Sequence, residues 1–215
     1  MTKPRVLIAD DHSIFTAGLR KLLEMDFDLV GEVEDGRALL EAAPRLRPDV
    51  ILLDISMPLL NGLDATRHLR KIAPQSKIIF LTMHSNPAYA TEAFTAGASG
   101  YLLKRSAASE LPLAIEAALK GQCYLTPLIA GDVLTTVLPA ARKKSTESIP
   151  PTLTLRQREV LQLIGEGHGT KAIARLLKVS VKTVEFHKFR IMRELNLHST
   201  AELVQHASSH GIITN

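Results

Sequence analysis

A chain of 215 residues, 46% hydrophobic and 22% charged, has the make-up of a soluble globular protein with room for one large or two ordinary domains. No apolar run approaches the roughly 18 residues of a membrane span, and Met1-Thr2-Lys3-Pro4-Arg5 lacks the design of a secretory leader, so a cytoplasmic protein with no membrane partner is expected. The lone Cys123 excludes an internal disulfide and fits a reducing compartment.

The net charge of +4 is unevenly spread. From Arg142 onward there are 12 Lys and Arg against 6 Asp and Glu, while the residues before it carry 14 against 16. A weakly acidic first part joined to a basic second part points to a polyanionic partner for the second.

Through the first 120 residues, strand-like apolar runs at 5–9, 28–33, 49–53, 77–81 and 100–103 alternate with helical patterns. The helical patterns fall at 15–25, 36–43, 62–72, 88–96 and 107–120; Leu19, Leu22 and Leu23 repeat at helical spacing, as do Ile115, Ala118 and Leu119. Repeated βα units predict an α/β domain, a parallel sheet of five strands with helices on both faces.

The third run, Val50 to Leu53, is continuously aliphatic, as a parallel strand buried on both faces requires. It stops at Asp54, and Pro58 follows, which cannot continue a central strand. Ligands of doubly wound sheets bind outside the carboxyl ends of the strands. The other strands end in Asp10-Asp11, Thr82 and Lys104, so these groups converge on one rim if all strands run parallel. Singly, each has a plainer role, such as a turn-capping Asp54 or a surface Lys104. Together, three close carboxylates repel and call for a cation. An oxygen-seeking ion, Mg²⁺, fits better than zinc, since no Cys or His cluster accompanies them. Carboxylate nucleophile, divalent ion, ammonium and hydroxyl make a site for a phosphoryl group.

Asp10-Asp11-His12, Asp54 followed by Met57-Pro58 and Gly62, Thr82, and Tyr101-Leu102-Leu103-Lys104 resemble the receiver domain of two-component response regulators, over residues 4 to about 121. The resemblance implies a flavodoxin-like sheet in order 2-1-3-4-5 and phosphorylation of Asp54 by a sensor histidine kinase. It implies further that Asp11, Asp54 and the Ser56 carbonyl hold Mg²⁺ directly, with Asp10 reached through water. Lys104 then pairs with the phosphoryl group, and Thr82 and Tyr101 form a switch in which the Tyr101 ring turns inward. Ser56 and His84 match positions that influence how fast the phosphoryl group is lost. Without the resemblance, Tyr101 is a strand aromatic part in and part out of the core, and His84 equally a surface loop residue. Phosphatases with an aspartyl nucleophile often place a second Asp two residues on as general acid. Here that place is Ser56, which favours a slow switch over turnover and a protein that is not an enzyme beyond slow autodephosphorylation.

Past the receiver-like part, Thr126 and Pro127 open a short helix through Ile129, Val133, Leu134 and Val137. Residues 139–151 read as a polar, proline-flanked tether containing Arg142-Lys143-Lys144. The expected division is a receiver at 1–121, a linker with its helix at 122–150 and a DNA-binding domain at 151–215.

The last part reads as four helices. Thr154-Leu155-Arg156-Gln157 and Ser199-Thr200-Ala201-Glu202 are capping-box patterns, and Ser180 caps a longer helix after a turn at Val179. A short helix, a tight turn and a longer helix basic at its start form a helix-turn-helix. On the longer helix, Val184, Ile191 and Leu195 make the buried stripe, turning Lys182, Glu185, Phe186, Phe189, Arg190 and Arg193 outward. Two outward Phe residues imply a partner surface, where they meet thymine methyls while Glu185 accepts from a cytosine amino group; alternatively one Phe packs within its own domain. His187 reads as a packed core histidine.

Leu153-Thr154-Leu155-Arg156, Gly167, Lys171-Ala172-Ile173-Ala174, Val179-Ser180, Thr183-Val184 and His187 resemble the LuxR-type helix-turn-helix of NarL/FixJ-class regulators, over about 150 to 208. That implies Lys171 and Lys182 on phosphates and Glu185, Phe186 and Phe189 facing bases, with Thr183 and Arg190 in the same contact set. It also implies a fourth helix that pairs two copies on a two-fold site in double-stranded DNA when phosphorylated. Gln157 for the usual Glu, Gly169-Thr170 for Ser-Asn and Glu185 for a frequent Lys depart from the pattern, and bear on which operator is read. The expected protein is therefore a phosphorylation-controlled transcription regulator. Two other classes stay open: an adaptor whose small domain grips protein or RNA, and an aspartyl-phosphate hydrolase.

Overall fold

The computed structural model describes residues 2–137 and 153–213. The tether at 139–151, with Arg142-Lys143-Lys144, lies outside the described residues. Strands β1 (Arg5–Ala9), β2 (Asp28–Val33), β3 (Val50–Leu53), β4 (Lys77–Thr82) and β5 (Gly100–Leu103) alternate with helices α1 (Ser13–Leu23), α2 (Gly36–Leu46), α3 (Gly62–Ile72), α4 (Pro87–Ala96) and α5 (Ala107–Leu119). The sheet is wholly parallel, in order β2-β1-β3-β4-β5-β6.

The sixth strand, β6 (Tyr124–Leu125), corrects the expected count of five. It has only two residues, too few for any alternation to be legible, and pairs with Gly100 and Tyr101 of β5. Thr126, expected as a helix cap, is fully buried beside it: its hydroxyl accepts from the Leu103 amide (3.3 Å) and donates to Glu110 (2.7 Å). Helix α6 (Pro127–Val137) follows and packs on α4.

Side chains alternate across each strand, so β1, β3 and β4 feed two cores. Leu7, Ile51, Leu53, Ile78 and Phe80 pack under α2, α3 and α4, while Val6, Ile8, Val50, Leu52 and Ile79 pack under α1 and α5. Side-chain caps from Asp35, Asn61 and Asn86 start α2, α3 and α4. Gly62 is demanded by proximity: a Cβ there would drive into the carbonyl oxygen of Asp54. The chain after β3 thus folds tightly back over the residue that ends it.

Helices α7 (Leu155–Gly165), α8 (Thr170–Leu176), α9 (Val181–Glu194) and α10 (Thr200–Ser209) form the C-terminal domain. Thr154 and Gln157 make a reciprocal capping box, whereas the Glu202 carboxylate reaches the Ser199 hydroxyl and the His198 amide. Val160, Leu161, Ile164, Ile173, Val184, Ile191 and Leu203 share one core; Leu195 only partly joins it. Lys178, at φ 54°, makes the left-handed turn between α8 and α9. Among the described residues, no helix is long and apolar enough to cross a membrane.

Candidate functional site

The carboxyl ends of β1, β3, β4 and β5 carry the acidic rim anticipated from the sequence. Asp10 and Asp54 are buried and Asp11 is exposed; ligand-type atoms of Asp10, Asp11, His12 and Asp54 lie within 4.8 Å of one another. The Lys104 ammonium sits 2.7 Å from Asp54 Oδ2 and 2.9 Å from Asp10 Oδ2, and 5.0 Å over the Phe15 ring. His12 Nδ1 lies 3.0 Å from Asp10 and 2.9 Å from Asp11.

Burial pushes the Asp54 carboxyl above its ordinary pKa, against the pull of Lys104. Burial works against the Lys104 ammonium too, but Asp54 and Asp10 outweigh it and raise its pKa. Lys104 thus stays a cation throughout the neutral range. Asp10 Oδ2 is buried and accepts no well-formed hydrogen bond, although the ammonium is close. A buried anionic oxygen with spare acceptor capacity, among carboxylates of hard-donor character, fits a divalent cation.

Thr82 and Tyr101 are both fully buried. Tyr101 therefore corrects the half-in, half-out expectation: its ring is already inside, packed near Phe80, and its hydroxyl donates to the His84 carbonyl at 2.8 Å. Thr82 Oγ1 accepts from the His84 amide at 3.2 Å. His84 is more than a loop residue. Its Nε2 lies 2.9 Å from Ser56 Oγ and its ring stacks on Tyr89 at 4.4 Å. Burial, followed by the charge of Lys104, lowers the His84 pKa and keeps the ring neutral. The Ser56 amide approaches Asp54 Oδ1 at 3.4 Å.

In the C-terminal domain, α9 presents Lys182, Glu185, Phe186, Phe189, Arg190 and Arg193 to solvent, with Phe186 55% and Phe189 65% exposed. Neither Phe packs into its domain core. Thr183 is half-buried, tied to the Ser180 cap through its amide (3.1 Å) and hydroxyl (2.8 Å). Lys171 is exposed on α8. His187 is half-buried, and burial lowers its pKa.

Sequence reasoning missed the junction between the two domains. Gln162, 1% exposed on α7, accepts from the Asn61 amide (2.8 Å) and donates to the Met57 carbonyl (3.0 Å). Glu166 accepts from the Leu59 amide (3.0 Å). Glu159, 2% exposed, meets Arg37 and His68 of the receiver-like domain at 2.8 Å each, and Arg156 of its own helix at 2.7 Å. Arg158 bridges Asp64 (3.1 Å) and Glu92 (2.6 Å). Burial alone would raise the Glu159 pKa, but hydrogen bonds from His68, Arg37 and Arg156 lower it to about 2. The apolar face of α7 was readable; that its polar face is buried was not, because its partners lie 66 to 122 residues away.

These two domains define a response regulator with a LuxR-type output. Residues 6–116 match the response regulator receiver domain, and 151–207 match the bacterial regulatory proteins of the luxR family. The chain belongs to the response regulators, in the class that joins a receiver to a LuxR-type DNA-binding domain. It is 32% identical over 223 residues to the transcriptional regulatory protein DegU of Brevibacillus brevis, covering 97% of this chain and 94% of that one. It is 36% identical over 208 residues to the oxygen regulatory protein NreC of Staphylococcus aureus, covering 94% and 96%. Among solved structures, RcsB of Salmonella enterica serovar Typhimurium, bound to promoter rprA with the phosphomimetic BeF3−, superposes with a TM-score of 0.62 at 31% identity. That match covers 96% of this chain and 99% of RcsB.

Proposed function

We propose that this protein is a cytoplasmic transcription regulator in which Asp54 accepts a phosphoryl group from a sensor histidine kinase and thereby governs binding to DNA. A receiver at 1–121, a linker with its helix at 122–150 and a DNA-binding domain at 151–215 divide the work. The observation that carries this reading is the convergence of Asp10, Asp11, Asp54 and Lys104 on one rim. In the transfer, a carboxylate oxygen of Asp54 attacks phosphorus as the bond from phosphorus to the kinase imidazole breaks, and the leaving nitrogen keeps the electron pair. Lys104 lies where it meets the negative charge of the arriving group, and Thr82 supplies a hydroxyl donor.

Asp10, Asp11, Asp54 and the Ser56 carbonyl would hold Mg²⁺, which when bound offsets the charge on the phosphoryl oxygens. Nothing near Asp54 offers a second carboxylic acid two residues on, so the acyl phosphate is a lasting mark, lost only by slow autodephosphorylation. Because Tyr101 is already inward, the change on phosphorylation begins at the His84 loop that Thr82 and Tyr101 both hold. The added charge shifts the population between arrangements of the two domains, by as much as it contacts them differently.

On DNA, Lys171 and Lys182 meet phosphates while Glu185, Phe186 and Phe189 face base edges in the major groove, flanked by Thr183 and Arg190. Two copies on a two-fold site place two such helices. The test is direct: treat the protein with a small acyl phosphate and Mg²⁺, then recover bound genomic fragments. Enrichment by wild type and its loss in Asp54→Asn is the expected result. Equal enrichment by both, or binding to duplex insensitive to salt, would refute phosphorylation-dependent regulation through DNA.

A further inference from the structure

The carboxylate of Glu185 stands on the outward face of α9 and makes no ion pair among the described residues. Its one hydrogen bond is to Thr170, the first residue of α8, whose Oγ1 donates to Glu185 Oε1 at 2.8 Å. The neighbouring side chains are also ordered by each other, with the Arg190 guanidinium 5.4 Å over the Phe186 ring. An uncompensated anion on a surface that meets a polyanion costs affinity unless it finds a hydrogen-bond donor there.

In the major groove only two groups donate: the N4 amino group of cytosine and the N6 amino group of adenine. Guanine presents N7 and O6, and thymine O4, all acceptors that repel a carboxylate. Adenine sets its N7 acceptor beside N6, whereas cytosine has only a C–H beside N4. With Oε1 engaged by Thr170, Glu185 keeps Oε2 for one further donor, which matches the single amino group of cytosine.

We propose that Glu185 determines base specificity by accepting from a cytosine amino group, and that Thr170 is the positioning residue that holds its carboxylate in place. The inference rests on α9 being the helix that enters the major groove. Every residue involved is exposed or half-buried, so the substitutions leave the domain core intact.

The experiment selects bound sequences from a random duplex pool with the acyl-phosphate-treated full chain and its variants. Wild type enriches cytosine at one position of each half-site, by roughly 5- to 150-fold over guanine, the discrimination expected of one good base contact. Glu185→Gln, whose amide pairs with N6 and N7, moves that position to adenine, and Glu185→Lys moves it to guanine. Thr170→Val blunts the cytosine preference without changing the salt dependence of binding, and Thr170→Ser restores it. If the selected base is the same for wild type, Glu185→Gln and Glu185→Lys, Glu185 does not read it and the proposal is overturned. A cytosine preference undiminished in Thr170→Val overturns the positioning role. Absence of duplex binding by wild type sinks the DNA-binding function itself, an outcome distinct from binding whose sequence preference ignores residue 185.

Discussion

Lys104 is the residue on which the acidic rim depends. With Asp10 and Asp54 both buried, its ammonium compensates two carboxylates that repel each other in a poorly solvated place. Lys104→Ala is expected to lower the unfolding free energy by about 3–5 kcal/mol, the usual cost of stranding a buried charge. Urea denaturation measures it, and Asp54→Asn in the same background should recover part of the loss. No recovery would mean that Lys104 acts by packing on Phe15 instead. Tyr101→Phe removes one buried hydrogen bond to the His84 carbonyl, and about 1 kcal/mol of stability with it. Asp10, Asp11, Asp54, Thr82 and Lys104 were legible in the sequence because each ends an apolar run, and a strand end is a place in space. His84 and His12 stood out only through the family resemblance, and their contacts were not legible, since a loop side chain takes its meaning from what stands opposite.

At the scale of elements, the turn from β3 into α3 is a tight joint of the receiver-like domain. Gly62→Ala sets a methyl group against the Asp54 carbonyl, so the loop must shift. We expect a loss of about 1–3 kcal/mol and slower phosphorylation of Asp54, read from thermal unfolding and acyl-phosphate labelling. Unchanged labelling would show that the loop gives way without disturbing the carboxylate. Long elements declared themselves through periodicity and caps: α3 spans the expected 62–72, and α7 and α9 start where Thr154 and Ser180 say they should. Short or tertiary-determined features did not. Strand β6 owes its existence to the free edge of β5, and Leu195 slips out of the buried stripe because α9 ends before it.

For the whole molecule, the docked face of the C-terminal domain is α7, and α9 stays open to solvent. Phosphorylation as proposed therefore has no need to uncover the exposed side chains of α9. It has only to change where two copies of α9 stand relative to each other, which sets the half-site spacing they can span. Glu159 clamps the docking. Below its ordinary pKa of 4.5 the undocked carboxylate takes up a proton more readily than the docked one, held at about 2. Its contribution to docking is therefore complete above about 4.5 and declines as pH falls towards about 2. Part of that depression comes from Arg156 of the same helix and survives undocking. Glu159→Gln should weaken docking by about 3 kcal/mol at neutral pH. The readout is faster hydrogen exchange at the Leu59 and Asn61 amides, which Glu166 and Gln162 protect. Protection equal to wild type would remove Glu159 from the clamp.

Those two amides, with the Met57 carbonyl, belong to the very segment that leaves Asp54, so α7 grips the backbone within eight residues of the carboxylate. Coupling between two sites has no direction: an operator duplex that prefers phosphorylated protein tenfold must raise the equilibrium constant for phosphorylation by that same tenfold. The promoter is then an input to the regulator as well as its output, favouring the phosphorylated form among those molecules that have already found their sequence.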